Sequence, residues 1–360
     1  MMMSHKATSR HQSTTAWLLV LALLGMPSCL EQTSDPVPDW PGTEEPDLSQ
    51  ALLLAETVQN RYAGDEPIQS EQGQVAQPLV GDDAVLFKPL RDSLNLANAV
   101  TFPVLTLFNR IARNNEPTLS SADLAVWQVT ADGVSHTLLL ERDADNAGKW
   151  NYNWSLRPEG ASDAGAQVGM TGFYIPGPLD GGKQTGTGLL RIDYGAFSLL
   201  PNVSGDGRGV VSFRSSAGGA LSTNFFFEEF FANDRQLNPI NAEYTYRLRS
   251  DESGQAQFIL LDVPLNNDEI DRVGATAVWN SNGAAKARAV FDDDRLIVDI
   301  FVDECWDVAR KQVWIEYDPD PGELSDGLEA DCDGDLAELE LTLPDLTNPP
   351  QDQDPDIPDE

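Results

Sequence analysis

The sequence predicts a mainly β fold: a large antiparallel meander curled into a barrel or half-barrel, with one or two N-terminal helices packed against it. Three observations carry this. From Ala122 onward apolar residues recur at every second position instead of at the helical spacing of 3.6. Turn-forming clusters separate the runs, among them Ala131-Asp132-Gly133, Asp180-Gly181-Gly182, Ser204-Gly205-Asp206-Gly207, Ser281-Asn282-Gly283 and Asp292-Asp293-Asp294. The links are too short for helical crossovers, so successive strands must pair antiparallel. About a dozen strands in such an order are expected to curl.

Taken in order, the chain opens with Lys6 and Arg10, the apolar run Ala16 to Gly25, and Met26-Pro27-Ser28-Cys29. The run is too short to span a bilayer, which needs about 20 apolar residues, and has the layout of a secretory signal over residues 1–28. Residues 29–50, rich in Pro, Asp and Glu, are expected to form a disordered acidic tether. Within 51–83, Leu52, Leu53, Ala55, Val58 and Tyr62 predict a short helix from Ala51 to Tyr62, with Ser49 as its cap.

A single β-rich domain is expected over 84–343, introduced by a helical stretch, Pro89 to Arg113, carrying Leu90, Leu94, Ala97, Val100, Val104, Leu107, Phe108 and Ile111. Pro103 predicts two helices there, or one kinked. Strands are predicted at 124–130, 134–142, 149–157, 168–175, 187–194, 209–214, 222–227, 242–249, 256–263, 287–291, 296–302 and 312–317, with a last one from Leu339 to Leu343. Trp150, Tyr152, Trp154 and Leu156 fall on one strand face and are expected in the core. Residues 344–360 are expected to be a disordered acidic tail, acting as solubiliser or as a cation-attracting arm.

Composition narrows the function. With 23 basic residues against 58 acidic the net charge is −35, which repels phosphate backbones and argues against nucleic-acid binding. The excess sits at the ends: 84–315 holds 20 basic and 29 acidic residues, whereas 316–360 holds 17 acidic and none basic.

Met26-Pro27-Ser28-Cys29 resembles the lipobox of bacterial lipoproteins, although Met and Pro replace the usual Leu and small residue. The resemblance implies diacylation of the Cys29 thiol, cleavage before it, and attachment to a membrane through the N-terminal lipid. Leu30 at the following position, in place of Asp, implies the outer membrane as destination. An ordinary cleaved signal peptide is the alternative. Export leaves Cys305 and Cys332 as an even pair in an oxidising compartment, so a disulfide is expected, worth about 3.5 kcal/mol. Two Cys without a neighbouring His fall short of a structural zinc site.

His136 is the only His beyond the signal, and its alternating surroundings make it a structural residue on a strand, which removes histidine-dependent triads. Glu329, Asp331, Asp333 and Glu340, with Gly334 between them, have nearly the spacing of a calcium loop, against the plainer alternative of an acidic turn. No other cofactor is indicated. The glycines from 181 to 188 lack the order of a phosphate loop and are expected to form hairpin turns.

Trp279-Asn280, Asn282-Gly283 and Glu304-Cys305-Trp306-Asp307, with the later Cys332, resemble segments of uncharacterised predicted lipoproteins of other bacteria. That resemblance implies the disulfide and the envelope address and brings no activity with it. The expectation is therefore a non-enzymatic, lipid-anchored envelope protein acting by binding or structure. Alternatives are a carrier that encloses a lipid or other apolar ligand between the sheet and the 89–113 segment, a hydrolase using paired carboxylates, and a transmembrane barrel.

Overall fold

The computed structural model describes residues 80–180, 183–200, 205–231, 240–263, 271–293, 300–318 and 325–344. The signal, Cys29, the tether, the helix expected over 51–62 and the tail beyond 344 lie outside these residues.

Alternation produces the predicted meander. Fifteen strands form one sheet in chain order, each antiparallel to the next, from β1 (Leu119–Ser120) to β15 (Asp326–Gly327). The intervening strands are β2 (Leu124–Ala131), β3 (Val134–Arg142), β4 (Trp150–Pro158), β5 (Gln167–Asp180), β6 (Lys183–Asp193), β7 (Asp206–Ser215) and β8 (Leu221–Phe231), and then β9 (Ile240–Leu248), β10 (Gly254–Val263), β11 (Asp271–Trp279), β12 (Ala285–Asp293), β13 (Ile300–Trp306) and β14 (Gln312–Asp318). A two-residue hairpin joins β2 to β3: Ala131 pairs with Val134, and Asp132 and Gly133 both take left-handed φ, 53° and 77°, as such a turn requires. Among the described residues no ladder joins β1 to β15, so the sheet is open.

One face of every long strand turns toward helix α1 (Phe87–Asn114). Along β3 these residues are Val134, Leu138 and Leu140, along β4 Tyr152, Trp154 and Leu156, and along β8 Leu221, Phe225 and Phe227, all buried. The buried faces of the strands and of α1 form one continuous hydrophobic core. The helix makes ring contacts at both ends: Phe87 meets Trp306 of β13 at 6.0 Å, and Phe108 meets Tyr152 and Trp154 of β4 at 5.8 and 6.1 Å. A one-turn helix α2 (Tyr194–Phe197), capped by the Asp193 carboxylate, sets Phe197 against Trp154 at 4.8 Å.

Of the two readings of Pro103, two helices or one kinked, the structure has a single helix, α1, running through it. A proline inside a helix costs about 3 kcal/mol, and here burial of Val104, Leu105, Phe108 and Ile111 beyond it offsets that. Strand β11 was not anticipated, because its inward positions are Val273, Ala275 and Ala277, too weakly apolar to stand out, and Gly274 resembles a break. Leu339 to Leu343 is not a strand. Its carbonyls are taken by side chains of the sheet: Lys286 Nζ donates to Leu339 O at 2.8 Å and Thr276 Oγ1 to Thr342 O at 2.8 Å. The apolar set of the strands joins α1 in one core, and the opposite face includes Arg191 and Glu243.

Candidate functional site

The segment Glu304-Cys305-Trp306-Asp307 gives each residue a separate structural task where α1 begins. Alternation points Glu304 and Trp306 inward and Cys305 outward. Glu304 is 0% exposed, and its two carboxylate oxygens accept from the backbone N–H groups of Val85 and Leu86, each at 2.7 Å. A carboxylate at a helix N-terminus satisfies donors that the helix leaves unpaired and meets the positive end of its dipole. Burial nonetheless dominates and pushes the Glu304 carboxyl up to about 7, the two N–H groups pulling the other way. Tyr317 is pushed up to about 12, by burial first and by the Glu304 charge second.

The approach to α1 is pinned as well. Gly81 N–H donates to Gln312 O, Gln312 N–H to Asp82 O, and Ala84 N–H to Arg310 O, so residues 81–84 run beside the start of β14. Asp307 folds the β13–β14 turn by accepting from Ala309 and Lys311 N–H.

On the outer face, residues 325–344 form a strap across the last strands. Cys305 and Cys332 are disulfide-bonded, with Cα atoms 6.0 Å apart. Lys286, 4% exposed, reaches Glu329 Oε1 at 2.5 Å as well as the Leu339 carbonyl. Asp333 Oδ2 accepts from Asn280 and Asn282 Nδ2, both at 2.8 Å, which holds its carboxyl below the usual range. The Trp-Asn-Gly turn between β11 and β12 is thus a docking point for the strap. Leu336 buries beside Trp314, and Leu343 packs on Ile259 and Val290.

These partners account for much of the anticipated calcium loop. Glu329 is paired with Lys286 and Asp333 with two amides, and among the described residues no group of three or more His, Cys, Asp or Glu is placed to hold a metal. Glu329, Asp331, Asp333 and Glu340 are therefore not brought together as a ligand set.

His136 lies buried on β3 with its ring 5.8 Å from that of Trp154, and burial lowers its pKa despite the nearby Asp132. Trp154 is fully buried, and Trp150 is half-buried under Arg142 at 4.4 Å. Of the glycines from 181 to 188 expected in hairpin turns, Gly186 and Gly188 lie instead within strand β6, paired with β5, and Gly181 and Gly182 lie outside the described residues.

The concave face grades from large to small. Tyr174, Phe213, Tyr244 and Tyr246 line the middle strands, and Ala275, Ala277, Ala285, Ala287 and Ala289 line β11 and β12. Small residues of that kind let a covering element approach the strands closely. Within this face the Thr223 and Tyr244 hydroxyls are buried without a hydrogen-bond partner among the described residues.

On the outer face, a groove of about 330 Å³ opens over β5 to β8, lined among others by Val168, Arg191, Asp193, Arg208, Val210 and Phe226. Comparison with protein-family models, curated proteins and solved structures finds no match to this chain. Its chemistry is therefore argued from its own geometry.

Two participants went unnoticed in the sequence. Lys286 sits in an alanine-rich strand, where alternation alone marks it as outward and exposed; its burial follows from the strap. Glu304 carried a signal only through the Glu-Cys-Trp-Asp resemblance, since an acidic residue between apolar strand neighbours, Val302 and Trp306, invites a polar role.

Proposed function

We propose that this chain is a lipid-anchored protein of the cell envelope, attached through an acylated Cys29 to the outer membrane, whose β-domain acts by binding or structure and not by catalysis. The observation that carries the reading of the domain is the helix clamped within the sheet. Its start is held by Glu304, Phe87 and Trp306, and its end by Phe108 on Tyr152 and Trp154 and by Trp127 Nε1 donating to Asn115 O at 3.0 Å. A concave face occupied by the protein's own helix suits a scaffold better than an open substrate cleft. The buried acid, Glu304, is engaged with backbone donors, a structural use of a carboxylate.

The anchor rests on the lipobox-like Met26-Pro27-Ser28-Cys29 and on the length of chain between it and the domain. Fifty residues separate Cys29 from the first described residue, Val80. Labelling of expressing cells with an alkyne fatty acid tests this directly. Label on the mature protein, lost in Cys29→Ser together with membrane fractionation, is expected; an unlabelled, freely soluble mature chain would refute the anchor.

A second reading, a carrier of an apolar ligand, is favoured by the unpartnered hydroxyls of Thr223 and Tyr244. Such groups would pair with the polar head of an amphiphile if α1 moved aside.

A further inference from the structure

We infer that the outer face of the sheet at Arg214, Ser222 and Arg247, on the adjacent strands β7, β8 and β9, is a binding site for a phosphate monoester, free or carried as a lipid headgroup. Such a site adds a ligand to the scaffold reading and is independent of the anchor. Three observations carry it: the register of these residues, the lack of acidic neighbours in their row, and a hydroxyl with nothing to bond.

Register puts the three side chains in one row. Arg214 pairs with Ser222, and Ser222 with Arg247. Alternation turns all three outward, because Phe213, Thr223 and Tyr246 beside them point into the core. The two arginines thus stand two strand spacings apart, about 10 Å, on either side of the serine. An extended arginine side chain is longer than half that distance, so both guanidinium groups can close on one ligand group above Ser222.

Nothing in the row neutralises them. Among the described residues neither Arg214 nor Arg247 has an ion-pair partner. Thr187 of β6 and Gln255 of β10 extend the row, and Ser212, Asn224 and Thr245 form the next one, none of them acidic. Of the acids in the neighbouring turns, Asp180 accepts from Gly218 N–H at 2.7 Å, and Asp251 from Ser253 N–H and Oγ. This surface is an exception in a stretch, 84–315, whose 29 acidic residues outnumber its 20 basic ones. The charge of the rest of the chain does not cancel the pair at contact range, since salt screens exposed charges beyond about 8 to 10 Å.

The hydroxyl favours one class of anion. Ser222 Oγ is buried without a hydrogen-bond partner among the described residues, an unmade bond that a ligand oxygen would complete. The side chains directly beside it across the sheet are the two arginines, so their turning onto a ligand opens the way to it. A phosphate monoester carries about −1.5 to −2 charges at neutral pH and three terminal oxygens, which serve two guanidinium forks and a hydroxyl at once. A carboxylate, with two oxygens in one plane, serves a single fork.

The test is calorimetric titration of the chain 30–360 at low salt with inorganic phosphate, glycerol phosphate and acetate, and co-sedimentation with phosphatidylcholine vesicles with and without phosphatidic acid. An open site of this kind exchanges its ligand quickly, so the ligand is added and not expected to survive purification. Both phosphates should bind, acetate much more weakly. Arg214→Gln and Arg247→Gln should each weaken phosphate binding by about tenfold, and Ser222→Ala by less. Arg191→Gln, on the same face but outside the row, should bind as the parent does, and an unchanged urea midpoint shows that each variant is folded. Binding of the phosphates with capture by phosphatidic acid vesicles identifies a headgroup as the source, and binding without capture a soluble ester; both support the site. A parent that binds no phosphate, acetate bound as tightly as phosphate, or binding that survives Arg214→Gln/Arg247→Gln would overturn it.

Discussion

Replacing Glu304 should change how stability depends on pH more than it changes stability itself. Its carboxyl is raised from an ordinary 4.5 to about 7. A carboxyl raised in the folded state binds its proton more tightly there than in the unfolded chain. Its contribution is thus greatest below pH 4.5 and is lost as pH rises through 7. A shift of that size corresponds to about 3 kcal/mol. Glu304→Gln keeps an oxygen for one of the two N–H groups and carries no charge, so it behaves at every pH much as the protonated acid does. The expected outcome is a variant close to the parent at pH 5 and more stable than it at pH 8, by up to about 3 kcal/mol. Urea unfolding followed by tryptophan fluorescence at pH 5, 6, 7 and 8 measures the difference. Comparing the two proteins cancels carboxyls common to both, such as Asp143, held down to about 2 chiefly by Lys149. A difference that stays flat across the range, or in which the parent gains on the variant as pH rises, would refute burial as the dominant influence on Glu304.

Three other outcomes are expected. Cys305→Ser/Cys332→Ser should lower stability by about 3 to 4 kcal/mol, read as a fall in urea midpoint, while α1 stays docked through Glu304. Lys286→Met should leave the Leu339 carbonyl without its donor, cost about 2 kcal/mol, and speed amide exchange across 337–343. Ala287→Leu, on the small-residue end of the concave face beside Glu304, should cost about 1 to 3 kcal/mol by overpacking, measured by thermal unfolding.

The meander was legible because alternation is a local property: Trp150, Tyr152, Trp154 and Leu156 declare the inward face of β4 without reference to any other strand. Hairpin turns were legible for the same reason, Asp132-Gly133 being chosen by backbone geometry at two positions. Features set by distant partners escaped detection. Pro103 alone does not decide between two helices and one kinked; the single helix goes with the burial of Phe108 against β4. Leu339, Leu341 and Leu343 alternate as a strand would, yet lie across the sheet because Lys286 and Thr276 take their segment's carbonyls. The acidic run from Glu329 to Glu340 has calcium spacing, but Lys286, Asn280 and Asn282, some 43 to 53 residues earlier, supply the countergroups. The Cys305 to Cys332 pairing could be anticipated by counting, since only two cysteines remain once Cys29 is assigned to lipid.

The claim that the concave face is closed by α1 for structural purposes is tested most directly by native mass spectrometry of the chain 30–360, isolated from an envelope fraction without detergent stripping. The account predicts a single mass with no adduct, lighter by two hydrogens than the reduced chain because Cys305 and Cys332 are joined. A co-purifying lipid or other apolar adduct, lost on substitutions at Thr223 and Tyr244, would contradict it and make α1 the movable cover of a carrier.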